Sequence, residues 1–298
     1  MAQGFCAVLG DRAALEIAGE DRRAFLQGLI SNDVEKVAAD RALYAALLTA
    51  QGKYLHDFFL TEMGNAFFVD AEAARLADLK RRLVLYRLRA KVTLGENGDR
   101  YLAAVAFGDD ALSLLDLPEE AGAAVPFAGG IAYVDPRLPA LGARLLLRRG
   151  SGLAPLESLG FIVDEGAAQY DRLRLSLGVP DGSRDLPIEK AILLEAGFDE
   201  LNGVDWQKGC YVGQELTART KYRALIKKRL MPVAIEGEAP PPGTPVMLGD
   251  EEAGEMRSAR DGLGLALLRL DALAEAEGRP LTAGAARLTP KKPDWAKF

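Results

Sequence analysis

Apolar residues along this chain come in short runs broken by glycine, proline and acidic turns, and the spacing of the runs changes several times. Residues 13–19, AALEIAG, make a run of strand length that closes on a glycine. Between 20 and 33 the period lengthens, setting Phe25, Leu26, Leu29 and Ile30 on one face of a predicted helix. Apolar runs at 42–50 and 54–62 then flank Gln51, Gly52 and Lys53, the pattern of a hairpin whose tight turn uses the backbone freedom of Gly52. After a short strand, AFFVD, residues 71–92 predict a helix with Leu76, Leu79, Leu83 and Tyr86 on its buried side. The region is α+β.

Further on, 100–108 predicts a strand, 109–117 a short helix and the Gly/Ala/Pro-rich stretch 118–130 a loop. A helix over 166–178 is stopped by Gly178 and Pro180. A long turn-rich connection, 179–207, delivers the chain to Cys210, and ordered loops of that length usually serve a function. From 228 the runs become short and evenly spaced between Gly, Pro and Asp, which predicts a small β-barrel. The stretch APPPG at 239–243 reads as a rigid turn between strands. These shifts set domain limits at 1–99, 100–226 and 227–298.

With 298 residues the chain can bury a full core and form two or three domains. No stretch approaches the roughly 18 apolar residues that span a bilayer, and the first twenty residues carry charges where a signal peptide has an apolar run. The expectation is therefore a cytoplasmic protein with no membrane partner. A formal net charge of −6 argues against nucleic acid as a partner.

Only two cysteines and one histidine are present, too few for a self-contained zinc or iron–sulfur site of about four ligands. If Cys210 binds iron, the other ligands come from a partner protein, a second copy or a small thiol. Cys210 sits in KGCYVGQE. Gly209 and Gly213 give it mobile backbone, Lys208 a nearby positive charge, and Gln214 opens a predicted helix, features that favour a reactive thiol over a buried structural one. A Cys–His dyad would need His56, which reads more simply as a structural residue of a strand. Asp57 in the same apolar strand either faces water or needs a partner. The basic run 219–229 is either a solvated face or a surface for carboxylates, phosphates or an acidic partner. No Gly-rich phosphate loop or G-x-S-x-G elbow occurs.

The segment 201–230, LNGVDWQKGCYVGQELTARTKYRALIKKRL, resembles the signature region of the YgfZ family, the folate-binding iron–sulfur assembly factors of bacteria and their mitochondrial counterparts. Its pattern K-G-C-Y-x-G-Q-E is matched by Lys208, Gly209, Cys210, Tyr211, Gly213, Gln214 and Glu215. Residues 170–204, RRAFLQGLISNDV and QGKYLHDFFL are similar to the same family. That family is similar in fold to the aminomethyltransferase (T-protein) of glycine cleavage. The resemblance implies an α+β three-domain ring around a folate-sized channel, its first two domains interleaved and its last a β-barrel.

The resemblance also implies a function: a bacterial accessory factor, not a conventional enzyme, for assembly or repair of iron–sulfur proteins, especially [4Fe–4S] targets. Cys210 would share a cluster with an A-type carrier protein, shaped by Gln214, Glu215 and Arg219. The chain would work as a monomer with client iron–sulfur enzymes. Tetrahydrofolate is the implied cofactor, with Asp57, Tyr170 and Arg174 as candidate contacts. The alternative is a tetrahydrofolate-dependent aminomethyltransferase or demethylase using Asp57. Departures from the transferase weigh against it. Cys210 and Tyr211 replace Asp-Phe of K-G-D-F, Ser176 replaces the pterin-holding glutamate, and His56 and Asp57 stand for two aspartates. Loss of that glutamate removes a charge-assisted hydrogen bond of about 1.5–3 kcal/mol.

Overall fold

A computed structural model describes residues 4–95, 97–223 and 226–298. Ala224 and Leu225, within the predicted basic run, lie outside the described residues. The chain divides into two compact units, each assembled from separated segments. The first comprises Met1–Leu48, His56–Tyr170 and Leu201–Val212, and the second Thr49–Leu55, Asp171–Glu200 and Gly213–Phe298.

The first unit is built on two sheets. One has five strands in the order Leu43–Leu48, Tyr54–Met63, Ala66–Glu72, Arg12–Ala18 and Thr93–Gly95. The other has six, in the order Ile162–Val163, Phe5–Val8, Tyr101–Phe107, Ala143–Arg148, Gly130–Val134 and Ala124–Phe127. The inner strands Tyr54–Met63, Tyr101–Phe107 and Ala143–Arg148 are buried along most of their length on both faces, so their apolar residues are not confined to alternate positions, and His56, Asp57 and Arg144 are buried among them. Aromatic rings meet between the sheets, with Phe59 and Tyr133 at 6.3 Å and Phe68 edge-on to Tyr101 at 5.2 Å.

Several expectations change here. The stretch 118–130 is not simply a loop: Ala124–Phe127 pairs with Gly130–Val134 through a turn in which Ala128 and Gly129 both take positive φ. A turn of that hand needs the glycine that made the segment look unstructured. The helix expected over 20–33 is confined to Arg22–Gln27, and Leu29 and Ile30 are buried beyond its end. The helix in 71–92 runs Leu76–Arg87 with Leu79 and Leu83 inward, but Tyr86 is exposed.

In the second unit the predicted barrel closes with six strands, ordered Lys228–Glu236, Leu263–Arg269, Glu251–Arg260, Pro245–Leu248, Leu281–Ala283 and Ala286–Pro290. Closure leaves no free sheet edge. The unit also holds the helices Gln214–Tyr222 and Leu270–Ala276 and most of Ala168–Ser176, which begins in the first unit. The hairpin tip belongs to this unit, with Tyr54 N–H donating to Ala191 O at 3.0 Å and Glu189 N–H donating to Tyr54 O at 2.8 Å. Gly52 at φ 78° is obligatory there, because a Cβ would fall 2.6 Å from Gly213 O and 2.6 Å from Leu216 Cβ.

Candidate functional site: an exposed thiol on a moored loop

The loop leading to Cys210 is tied by hydrogen bonds to the segment that follows the short helix Arg22–Gln27. Ser31 Oγ donates to Gly203 O at 2.6 Å and accepts from Ala46 N–H at 2.8 Å. Asn32 Nδ2 donates to Tyr44 O and to Asn202 O, both at 2.7 Å. Asp205 N–H donates to Ser31 O at 3.0 Å and Val212 N–H to Gly28 O at 3.1 Å. The Asp205 carboxylate accepts from Gln207 N–H at 2.7 Å and Lys208 N–H at 3.1 Å, and pairs with Lys36. A turn with this many acceptors filled needs no regular secondary structure to hold its shape.

Lys208 is the central mooring. Its ammonium donates to the carbonyls of Gln27 at 2.8 Å, Ile30 at 2.6 Å and Asn32 at 2.8 Å, and lies 5.0 Å from the Tyr211 ring centroid. Besides carrying the nearby positive charge expected of it, Lys208 thus ties the loop down through backbone oxygens, because a half-buried ammonium must replace its water shell. Burial pushes its pKa down to about 8, opposed by the nearby Asp33 and Asp205 carboxylates. Tyr211 is buried beside it. The motif thus has two anchors, Lys208 and Tyr211, on either side of Gly209 and Cys210, which are exposed.

The remaining motif residues lie in the second unit. Gly213 takes φ 82° immediately before the helix that starts at Gln214, and Glu215 and Arg219 are on that helix's exposed side. The other cysteine, Cys6, is buried in a strand and its thiol is pushed up to about 11 by burial, with Glu157 adding to the shift. His56 is also buried. Its Nε2 lies 3.0 Å from Asp78 Oδ2, and burial together with the Arg75 guanidinium pulls its pKa down to about 4. It therefore forms no dyad with the exposed Cys210. Among the described residues no group of three or more His, Cys, Asp or Glu side chains could hold a metal.

Asp57, on the opposite face of the strand from His56, is buried and accepts the Tyr44 hydroxyl at 2.8 Å. Tyr44 in turn lines a cavity of about 330 Å³ with Asn32, Pro136 and Asn202. Tyr170 is buried 5.5 Å from Phe107, ring to ring. Arg174 is in the second unit, where its Nε donates to Asp171 at 2.7 Å, its Nη1 to Asp185 at 2.6 Å and its Nη2 to Ser258 at 2.8 Å. Arg184 and Arg260 complete this network on Asp171, and hold its carboxyl well below the usual range against the effect of burial.

A charged core in the first unit was not visible in the sequence. Asp70 receives Arg12 at 2.7 Å and Arg144 at 2.8 Å, and Asp135 receives Arg137 at 2.8 Å. The Arg144, Arg137 and Arg12 guanidiniums lie 3.9, 4.9 and 5.3 Å from the Phe59 ring centroid. Arg12, Asp70 and Arg144 sit in ordinary strand patterns and are brought together only by sheet pairing, while Asp135 and Arg137 meet locally just after the strand Gly130–Val134.

The fold is that of the T-type aminomethyltransferases. The structure superposes on the glycine cleavage system aminomethyltransferase T from Bartonella henselae with a TM-score of 0.77, over 99% of this chain and 87% of that one, at 16% identity. Within that class the sequence is more specific. Residues 227–298 match the CAF17 C-terminal beta-barrel domain. The chain is 35% identical over 283 residues to the human iron-sulfur cluster assembly factor IBA57, mitochondrial, covering 88% of this chain and 77% of that protein. It is 33% identical over 291 residues to the mouse protein of the same name, covering 90% and 78%. The chain belongs to the IBA57 family.

The expectation of a cytoplasmic protein is overturned by these relatives, which, like those of Neurospora crassa and Coccidioides immitis, are named mitochondrial. Unpaired cysteines and the lack of a long apolar run do not separate the two compartments.

Proposed function

We propose that the chain is an accessory factor in iron–sulfur protein assembly, and that Cys210 supplies one thiolate to a cluster shared with an A-type carrier protein. The observation that carries the reading is the exposure of Cys210 beside the burial of the other cysteine and of the single histidine. Cys6 lies in a sheet and His56 is bonded to Asp78, so among the described residues Cys210 is the one thiol or imidazole ligand facing outward. One ligand cannot close a cluster, whereas one added to a carrier's own thiolates can. The cluster is cargo, and client [4Fe–4S] enzymes are its destination. The names of the human and mouse relatives support the assembly role.

The same reading assigns Lys208 and Tyr211 to holding the loop so that the thiol is presented without rearrangement, and places Gln214, Glu215 and Arg219 at the edge met by the partner. It predicts that the cluster-loaded A-type carrier protects Cys210 from iodoacetamide and that the apo-carrier protects it far less. Equal alkylation in both mixtures, read by peptide mass spectrometry, would remove Cys210 from the cluster.

Tetrahydrofolate is proposed as the small-molecule ligand. Support comes from the cavity of about 330 Å³ lined by Tyr44, whose size suits a pterin and not a whole folate, with Asp57 behind it, bonded to the Tyr44 hydroxyl. Asp57 and Tyr170, the contacts the resemblance implies, are buried and do not line this cavity, so a pterin would reach them only by displacing Tyr44; Arg174, bonded to protein oxygens at each nitrogen, offers less. Fluorescence titration with tetrahydrofolate checks this: Asp57→Asn should weaken binding roughly tenfold or more, and unchanged affinity would contradict it.

A further inference from the structure

The helix Leu76–Arg87 ends in a surface that the thiol site does not use. Val84, Leu85, Tyr86 and Leu88 are all exposed, Leu85 at 67% and Leu88 at 89%. Leu88 closes the helix at φ 42°, a backbone region leucine rarely enters, and its side chain projects into solvent. Four large apolar side chains in five residues are unusual on a soluble surface, where such residues normally appear singly.

The charge around them is one-sided. Lys80, Arg81, Arg82, Arg87, Arg89 and Lys91 lie within twelve residues, and no acidic residue occurs from 79 to 95, in a chain whose net charge is −6. Arg81 and Arg82 pair with Asp78 and Lys91 pairs with Glu20. Arg87 and Arg89 are exposed and make no ion pair with the described residues.

We infer that this helix end is a peripheral docking surface for an anionic phospholipid membrane. Two features favour lipid over an acidic protein. Exposures of 67% and 89% describe a tip standing clear of the protein, not the partly packed pocket from which protein hot spots are made. Long basic side chains flank that tip on both sides in sequence, so the leucines can enter the acyl boundary while the guanidiniums reach phosphate oxygens. Such a contact needs no spanning segment, and no helix among the described residues is long and apolar enough to be one. The inference departs from the expectation of no membrane partner, and does not depend on Cys210.

The test is sedimentation of the full chain with phosphatidylcholine vesicles that either lack phosphatidylglycerol or contain about one-third of it. The wild type should pellet with the anionic vesicles and not with the neutral ones. Binding should fall at least tenfold in Leu85→Asp/Leu88→Asp and, roughly, a hundredfold in Arg87→Glu/Arg89→Glu. All four side chains are exposed, and unchanged melting temperatures would show that the variants fold. Wild-type protein that stays in the supernatant with anionic vesicles would overturn the inference. So would binding that both variants retain. Lack of vesicle binding together with impaired cluster delivery by Leu85→Asp/Leu88→Asp would assign the surface to a protein partner instead.

Discussion

Cys210 and Cys6 are the same side chain in opposite surroundings, and their chemistry should differ accordingly. With its thiol pushed up to about 11, Cys6 holds on the order of one thiolate in a thousand at pH 8, inside a sheet. Iodoacetamide should label Cys210 in the native protein and reach Cys6 only after denaturation, at rates at least a hundredfold apart. Similar rates would mean that the strand Phe5–Val8 opens readily or that Cys210 is covered. His56 gives a second residue-level test, because as the single histidine it yields one unambiguous imidazole signal by NMR. Its folded pKa of about 4 lies below the unfolded value near 6.5, so the native state resists the proton that the unfolded chain accepts. The stabilisation is complete above pH 6.5 and is lost progressively as pH falls to 4, amounting to roughly 3 kcal/mol. An imidazole titrating near 6.5 in the folded protein would contradict the buried His56–Asp78 contact.

At the scale of elements, the hairpin turn and the motif loop were both legible in the sequence, for different reasons. Gly52 between two apolar runs specifies its turn locally, and the strands appear at Leu43–Leu48 and Tyr54–Met63 as their patterns require. Gly52→Ala should cost about 2–4 kcal/mol, since the new Cβ meets backbone and side chain at 2.6 Å in a conformation alanine avoids. Thermal denaturation measures it, and a loss under 1 kcal/mol would show that the turn relaxes. The motif loop was recognisable from KGCYVGQE, yet the work of Lys208 was not, because its three acceptors lie about 180 residues away in sequence. Lys208→Met keeps the stem and removes the donors. It should destabilise by about 2–3 kcal/mol and raise amide exchange in both joined segments. The hairpin at Ala124–Gly130 was missed because its glycines look the same in a loop as in a turn of positive φ.

Across the whole molecule, the barrel could be read from the even spacing of short runs after 228, while the charged interior of the first unit could not. Arg12, Asp70, Arg137 and Arg144 sit on strands or turns whose patterns give no reason to expect a buried ion pair. Only the pairing of Arg12–Ala18 with Ala66–Glu72, and the facing sheet that carries Arg144, bring the cations onto Asp70. Asp70→Asn should lower stability by about 3–5 kcal/mol, because two buried guanidiniums lose their counterion. Of the two cysteines, Cys6 is buried and Cys210 exposed, so the proposed shared-ligand role rests on Cys210. The decisive measurement is anaerobic iron–sulfur reconstitution followed by visible absorbance, on the chain alone, mixed with an A-type carrier, and mixed with the carrier as Cys210→Ser. Cluster absorbance enhanced only in the wild-type mixture, with Cys6→Ser behaving as wild type, is the predicted result. Equal cluster formation by Cys210→Ser and wild type would contradict the shared-ligand role.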